Sequence, residues 1–506
     1  MGSNWKTLTL GDVTTWSSGG TPKKMEPLFW GGKIPWISAS SMNGHLYSDS
    51  KLKITEEGLK NGSRLAPEGS ILLLVRGSIL HQKMQVGLAT KPVSFNQDVK
   101  CLIVNEEKID AWFLLLWFKA KERELLSIVE STGIGAGKFD TQVLLNYPIE
   151  IPPQEERNRI RDFGKALFDK IQLNQQTNQT LEQMAQTLFK SWFVDFDPVF
   201  DNLLAKANFN LANLENTLPE PLFKKAKARL SAINASENVG NIKASLIALA
   251  QSSTPQLSSR NVLETDATSA TILPQHANTH AHFPSEFEHN EQLGWIPKGW
   301  ECNQLDDVVE IASSKRVFAK DYVESGVPFY RGKEITELSL GKKVNTEIFI
   351  TEDKYQELKL KAGAPKAGDI LITSVGTIGN AYLVHQGDKF YFKDGNLTWI
   401  KDYKKSKIPH YLLTWLKNPI GKSAIENIKI GTTQQAITIK SLNKIKLVVP
   451  TSKVSELFES FGQTTCDKLV ANNNQNNALV RLRDTLLPKL TSGEITLTDS
   501  QISSEA

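Results

Sequence analysis

Residues 133–138, Gly-Ile-Gly-Ala-Gly-Lys, are the stretch of this 506-residue chain that looks most like a nucleotide or S-adenosylmethionine cradle. A phosphate loop needs Gly-x-x-x-x-Gly-Lys followed by Ser or Thr, so that backbone N–H groups ring the phosphates and a hydroxyl reaches the metal. Here Thr132 stands where the first glycine belongs and Phe139 follows Lys138. A helical pattern rather than a strand precedes it, so the stretch reads as a structural loop. Asp197-Pro198-Val199-Phe200 resembles the Asp/Asn-Pro-Pro-Tyr/Phe element with which amino-methyltransferases hold a base, but its second proline is missing. It also follows a helix, which Pro198 would terminate. The eight histidines form no His-Glu-x-x-His pair, and His276, His280 and His282 fall in a polar stretch. Cys101, Cys302 and Cys466 are far apart with no Cys-x-x-Cys. Zinc sites and disulfide frameworks need closer ligands, so the expectation is inert core thiols in a reducing cytoplasm, with no catalytic residue, cofactor or metal in the chain.

Side chains suited to nucleic acid are more plentiful. Net charge is only +4, but residues 298–450 hold 24 Lys and Arg against 17 Asp and Glu, whereas 201–292 hold 7 against 9. A basic bias permits contact with a polyanion without requiring it, since solvated lysine surfaces have the same composition. Arg and Lys can donate two hydrogen bonds to guanine, and Gln or Asn can pair with adenine. On that chemistry the DNA-binding candidates are Lys23, Lys24, Arg76, Ser78, His81, Lys83 and Gln97 in the first part of the chain. In the second they are Lys315, Arg316, Arg331, Lys333, Thr377, Gln434 and Gln435. Any one of these reads more readily as a phosphate contact or plain surface than as a base reader, and the alternative for Gln434 and Gln435 is packing between module and helix.

The elements that must position these residues occur twice. Phe163-Gly164 recurs 298 residues later as Phe461-Gly462, Asp169-Lys170 as Asp467-Lys468, Asn174 as Asn472 and Asn178 as Asn476. Residues 1–152 read as a mixed α/β module, with short apolar runs bounded by Gly, Pro, Asn and Asp and one helix near 110–129. From Gln154, Ile160, Phe163, Leu167, Ile171, Leu181, Met184, Leu188 and Trp192 step mostly by three and four. That spacing predicts a helix of about 39 residues. Residues 293–450 repeat the module, and Val454, Leu457, Phe461, Leu469, Leu479, Leu482, Leu486 and Leu490 repeat the stripe. Pro488 is expected to kink or stop that second helix. The domain plan is thus a module at 1–152, a helix within 153–200, a polar and partly disordered connector at 201–292 with one candidate helix at 221–235, a module at 293–450, a helix at 451–493 and a tail at 494–506.

Placed about one twofold axis, two equal helices must run antiparallel, with their modules at opposite ends. The expected fold class is α+β: two mixed α/β modules alternating with two long helices that pair as an antiparallel coiled coil with pseudo-twofold symmetry. Asn174, Asn178, Asn472 and Asn476 then meet mid-helix and fix register, as polar core residues do at some cost in stability; the alternative is that they face water. Duplex DNA shares local twofold symmetry, so two divergent modules would read a bipartite, asymmetric site. The longest apolar runs fall well short of the roughly 18 residues of a spanning helix, and no basic-then-apolar leader is visible at the start.

These words, in this order, resemble the specificity subunit of a type I restriction-modification system, with two target-recognition domains separated by helical regions. The resemblance is carried by Gly19-Gly20-Thr21-Pro22, Phe29-Trp30-Gly31-Gly32 and Pro152-Pro153-Gln154-Glu155-Glu156-Arg157, then by Leu188 through Pro198 and Leu293 through Trp300. Gly368-Asp369-Ile370-Leu371, Gly431-Thr432-Thr433-Gln434-Gln435 and Leu486 through Ile495 complete it. The first module departs from the pattern at Gly133–Lys138, and the connector is long for the family. The resemblance implies a non-catalytic subunit that binds double-stranded DNA and recruits two modification (methyltransferase) subunits, joined by restriction (helicase-nuclease) subunits. S-adenosylmethionine and ATP would sit on those partners. Phe189, Trp192, Phe193 and Phe196, at the end of the first helix, are either the modification-subunit interface or buried against the second module. The rival readings are a non-catalytic coiled-coil scaffold with protein-binding ends, and a fused methyltransferase, which lacks the elements it would need.

Overall fold

In each repeat the strand that opens the module is closed by the strand that leads into the long helix. Lys6–Thr9 pairs antiparallel with Pro148–Ile151, and Glu301–Gln304 pairs antiparallel with Lys446–Val449. This is seen in a computed structural model, which describes residues 4–133, 135–236, 239–251, 279–432 and 434–497. Backbone contacts divide the chain into two units, Met1–Gln175 with Asn474–Ala506, and Gln176–Asn473. The boundary cuts both long helices, so each unit holds one module and one half of each helix.

In the first unit the main sheet has the order Thr14–Ser18, Val99–Val104, Ile71–Leu74, Val86–Ala89, Leu46–Tyr47. In the second the corresponding order is Val309–Ala312, Leu397–Tyr403, Ile370–Thr373, Ala381–Leu383. Each module adds a second sheet built around a parallel pair, Trp30–Ile37 with Val93–Phe95 and Val327–Tyr330 with Tyr391–Phe392. Central strands such as Ile71–Leu74 and Ile370–Thr373 are buried along their whole length, which is why they read as unbroken apolar runs. The expected helix near 110–129 is two helices, Ala111–Ala120 and Glu122–Leu126, broken at Lys121. Asp110 starts the first by accepting from Phe113 N at 2.8 Å.

The long helices are Gln154–Lys190 and Ser452–Thr491. Within each unit they run in opposite directions: Arg483 lies 5.1 Å over the Phe168 ring while Asn174 bonds Asn476, and Phe189 meets Phe458 while Asn178 bonds Asn473. Gly164 and Gly462 let the module helices sit hard against them. A Cβ on Gly164 would fall 2.4 Å from Leu116 Cδ1, and one on Gly462 would fall 2.4 Å from His410 Cβ. Of the expected stripe, Met184 is 51% exposed, and Gln186 on the same stretch points to the module instead, with hydrogen bonds to Thr414 O and Asn418. Pro488 does not stop the second helix at its own position; the helix continues for three residues to Thr491. Leu487 and Leu490 are buried in the core of the first unit, an apolar gain that offsets the missing N–H.

The polar stretch holds more helix than its one candidate. Asp197–Lys206, Glu220–Asn234 and Val239–Gln251 are all helical. Leu203, Leu204, Leu222, Ala226, Leu230 and Ile233 are buried in the same core as Trp300 and Val454. The returning chain at 279–283 is pinned there: Asn202 Nδ2 donates to the carbonyls of His280 and Phe283, and the carboxylate of Asp201, 2% exposed, takes Arg229 Nε at 2.7 Å and His280 Nε2 at 2.9 Å. The expected disorder at 252–278, and His276 with it, lies outside the described residues. Of the three cysteines only Cys101 is buried, so the expectation of core thiols fails for Cys302 and Cys466. Among the described residues no helix is long and apolar enough to cross a membrane.

Candidate nucleic-acid interface

Register places the candidate readers of the first module along one edge of its main sheet. Lys100 faces Ser18 and Val99 faces Leu74, so strands Thr14–Ser18 and Ile71–Leu74 end where Val99–Val104 begins. Everything between Gly19 and Glu26, between Asn96 and Asp98, and after Val75 therefore gathers there. The Gly-Gly-Thr-Pro turn is bound to the neighbouring turn by Gly20 N to Phe95 O, at 2.9 Å, and by Thr21 Oγ1 to Gln97 Oε1, at 2.7 Å. Gly19 is required by that approach, because a Cβ would stand 2.1 Å from Phe95 O. Lys23 and Lys24 follow on the exposed loop, and Gln97 is exposed beside them.

Beyond the sheet edge the chain forms a small ribbon. Val75 N donates to Asp98 O at 2.8 Å, and Arg76–Gly77 pairs with Gly137–Lys138, which pairs in turn with Glu130–Ser131. Arg76 and Lys138 are direct strand partners and both are exposed. Ser78, His81 and Lys83 continue the same segment, exposed, with His81 Nε2 at 3.2 Å from Gly135 O. The end of the glycine-rich stretch that fails as a phosphate cradle, Gly137–Lys138, is thus the central strand of a three-stranded ribbon. Its lysine was missed as a candidate because the surrounding glycines read as a loop. The available signal was the alternation from exposed Lys138 to Phe139, which is 1% exposed.

The second module repeats the edge with different chemistry. Thr373 faces Leu397 and Ala312 faces Trp399, so the turns at 313–318, 374–380 and 393–396 share one end. Ser374 N donates to Asn396 O at 2.8 Å, and Ile437 N donates to Ser374 O at 3.0 Å. These repeat the bonds from Val75 to Asp98 and from Phe139 to Val75. Gln434 and Gln435 lie in the turn closed by Ile430 opposite Ala436, which also faces Val375, and both are exposed; the amide that docks module to helix is Gln186. Lys315 and Arg316 are exposed, and Arg316 Nε pairs with Asp394 at 2.9 Å, which orients the guanidinium at the edge. Thr377 shares a 3.1 Å hydrogen bond with Thr336, and Lys333 is exposed at the start of helix Gly332–Ser339. Arg331 is less free. Burial works against ionisation of Glu334, yet the Arg331 guanidinium, at 3.1 Å, and its backbone N–H, at 2.8 Å, hold that carboxyl below its ordinary pKa. Arg331 therefore serves its own helix start.

At the helices the asparagines bond across the helix pair within each unit. Asn174, 5% exposed, donates to Gln475 Oε1 at 2.8 Å and Asn476 Oδ1 at 2.9 Å. Asn178 donates to Asn473 Oδ1 at 2.9 Å and accepts from Asn472 Nδ2 at 2.7 Å. Gln475 and Asn473 were not among the sequence candidates. The aromatic cluster is the alternative that the sequence left open. Phe189, Phe193 and Phe196 are 1%, 6% and 8% exposed, Trp192 is half-buried, and they pack on Tyr411, Phe458, Trp300 and Phe283 of the second unit. For Phe189, Phe193 and Phe196 the expected partner interface is corrected accordingly, because rings sealed in the unit's own core leave no face for another subunit; half-buried Trp192 keeps part of its ring exposed. Among the described residues no group of three or more His, Cys, Asp or Glu could hold a metal ion.

Comparison with known proteins agrees with the duplicated plan. A family model described as the type I restriction modification DNA specificity domain matches residues 2–183 and again 297–476. The chain is similar to the type I restriction enzyme MjaIX specificity subunit of Methanocaldococcus jannaschii, at 24% identity over 499 residues, covering 97% of this chain and 94% of that protein. It is also similar to the HindI specificity subunit of Haemophilus influenzae, at 26% identity over 390 residues and 76% of each chain. The crystal structure of a type I system S subunit from M. genitalium shares the fold, with a TM-score of 0.51 at 14% identity over 96% of both chains.

Proposed function

The chain belongs to the type I restriction modification DNA specificity family, and from that premise we propose that each of its modules reads one half of a bipartite, asymmetric duplex DNA site. The observation that carries this reading is the sheet edge found in both repeats, where separate turns deliver exposed cations and amides side by side. Such an edge can neutralise phosphates with Lys23, Lys24, Arg76, Lys138, Lys315 and Lys333 while presenting Gln97, Gln434, Gln435 and the oriented Arg316 to base edges. The edges differ between repeats, which supports two different half-sites.

The paired helices set the gap between half-sites, their asparagines hold the register, and exposed parts of the helical region recruit two modification subunits, with restriction subunits joining for cleavage. Methyl transfer and ATP-driven steps then belong to those partners, and this chain is non-catalytic. Selection from a randomised duplex pool by the full-length chain with its modification subunits tests the reading. One enriched bipartite sequence is expected; recovery of no sequence above background would refute it. Removing one heptad from each helix is expected to shorten the gap while both half-sites stay the same, and altered half-sites would contradict a separate ruler.

A further inference from the structure

Both modules hold large apolar side chains out in solvent at the same point of the repeat. In each, a one-turn 3-10 helix follows the first strand of the main sheet, Pro27–Phe29 in one and Ala319–Asp321 in the other. Met25 and Leu28, at the first, are 94% and 72% exposed, and Phe318, which enters the second, is 57% exposed. Single exposed apolar residues are ordinary on any surface, but these recur in two divergent copies and have exposed cations close by in sequence. Exposed Lys23 and Lys24 precede Met25, and exposed Lys315, Arg316 and Lys320 flank Phe318.

The backbone beneath them is held. Trp30 Nε1 donates to Lys23 O at 3.1 Å and Thr55 Oγ1 to Leu28 O at 2.7 Å. In the second module Phe318 N donates to Asp321 Oδ2 at 3.3 Å, and Val317 beside it is 6% exposed within a small core. Both turns adjoin the sheet edge already described, through Gln97 in one module and Asp394 in the other. A rigid apolar tip on a turn that also carries exposed cations matches a partner that is anionic outside and apolar within, and stacked base pairs between two phosphate backbones have that chemistry. Phe, Leu and Met are also side chains suited to entering between base pairs.

We propose that Met25 with Leu28, and Phe318, are wedges that enter the duplex between neighbouring base pairs, one in each half-site, while the adjacent cations hold the phosphates. Each wedge partly unstacks one step, so sequence preference arises at that step from the ease of deformation, without a hydrogen bond to the base. This rests on the reading of the chain as a DNA specificity subunit.

The test uses the duplex enriched by selection on the full-length chain with its modification subunits, carrying 2-aminopurine at one position at a time. Fluorescence is expected to rise at one step in each half-site on binding. Phe318→Ala is expected to abolish the rise in the second module's half-site alone, Phe318→Leu to retain it, and the double change Met25→Ala with Leu28→Ala to abolish it in the other half-site alone. Each alanine variant should lose about tenfold in discrimination between the selected and scrambled duplexes, the scale of one mismatched base pair. All three residues are exposed, so folding is not at issue. Tight, selective binding with no rise, or a rise that persists in the alanine variants, overturns the wedges and leaves the specificity reading intact. Failure of wild-type chain to enrich any sequence overturns the specificity reading, and the wedges with it.

Discussion

Replacing Gly462 by alanine sets two known magnitudes against each other. Gly462 lies inside a long helix, where alanine is ordinarily better than glycine by about 1 kcal/mol. The new methyl would however stand 2.4 Å from His410 Cβ and 2.7 Å from its Cγ. Those atoms cannot swing aside, because the His410 backbone N–H is bound to Glu459 and its ring is bound to Gln463. Forcing a methyl into a packed contact costs about 1–3 kcal/mol, and loosening either hydrogen bond adds about 1 kcal/mol. The clash wins, and Gly462→Ala is expected to destabilise the second unit by a net 1–3 kcal/mol or so. Gly164→Ala is the internal control. Its methyl would meet Leu116 at Cδ1 and Cδ2, the far end of a flexible side chain, so the expected net cost is only about 0–1 kcal/mol. Guanidinium unfolding of each full-length variant, followed by tryptophan fluorescence and by limited proteolysis of each unit, measures both. A stabilised Gly462→Ala, or a Gly164→Ala that costs more than it, would refute the reasoning that the identity of the neighbouring atom decides the sign.

Two further perturbations probe the second unit. Burial opposes the charge on Asp201, but Arg229 and His280 hold its carboxyl below the ordinary value of 3.8, so its contribution is present above that pH and is lost as pH falls through the lowered value. Asp201→Asn should cost about 3 kcal/mol at neutral pH, at the low end for a broken buried pair because Arg229 stays partly hydrated, and should release 279–283 to protease; unchanged proteolysis would count against the clasp. Burial pushes Glu459 up to about 7 even though it accepts the backbone N–H groups of His410 and Tyr411. A raised carboxyl stabilises the fold fully below its unfolded value of about 4.5, and that contribution is lost as pH rises through 7. The stability difference between wild type and Glu459→Gln is therefore expected to shift in favour of the variant between pH 4.5 and 7, and a difference independent of pH would show that the carboxyl titrates elsewhere.

Some of this molecule was legible residue by residue. The long helices announced themselves because a 3.6-residue stripe survives any change in the surrounding loops, and the asparagines because polar residues break that stripe at matching places in both repeats. The aromatic cluster was only half legible: the spacing of Phe189, Phe193 and Phe196 shows that one face is apolar, but the same pattern suits a partner's surface or the chain's own core. Helices Asp197–Lys206 and Val239–Gln251 escaped notice because short elements in an Asn- and Ser-rich stretch give few turns over which a period can show. Lys138 escaped for the opposite reason, since its glycine neighbours are a strong local signal for a loop while its strand partner, Arg76, is 62 residues away.

By itself, the sequence determined the duplication, the order of module and helix, and the family. Those depend on local periodicity and on words repeated at a constant offset, both properties of the chain read in one direction. Only the tertiary structure decided which of the candidate readers share an edge, that Arg331 is committed to Glu334 while Arg316 is aimed from Asp394, and that Phe189, Phe193 and Phe196 are interior. Strand register brings together turns separated by 50 to 80 residues, such as Thr21 with Gln97 and Arg316 with Asp394. Pairings over such distances are set by which strands lie side by side and which faces are buried, and no window along the chain contains that information.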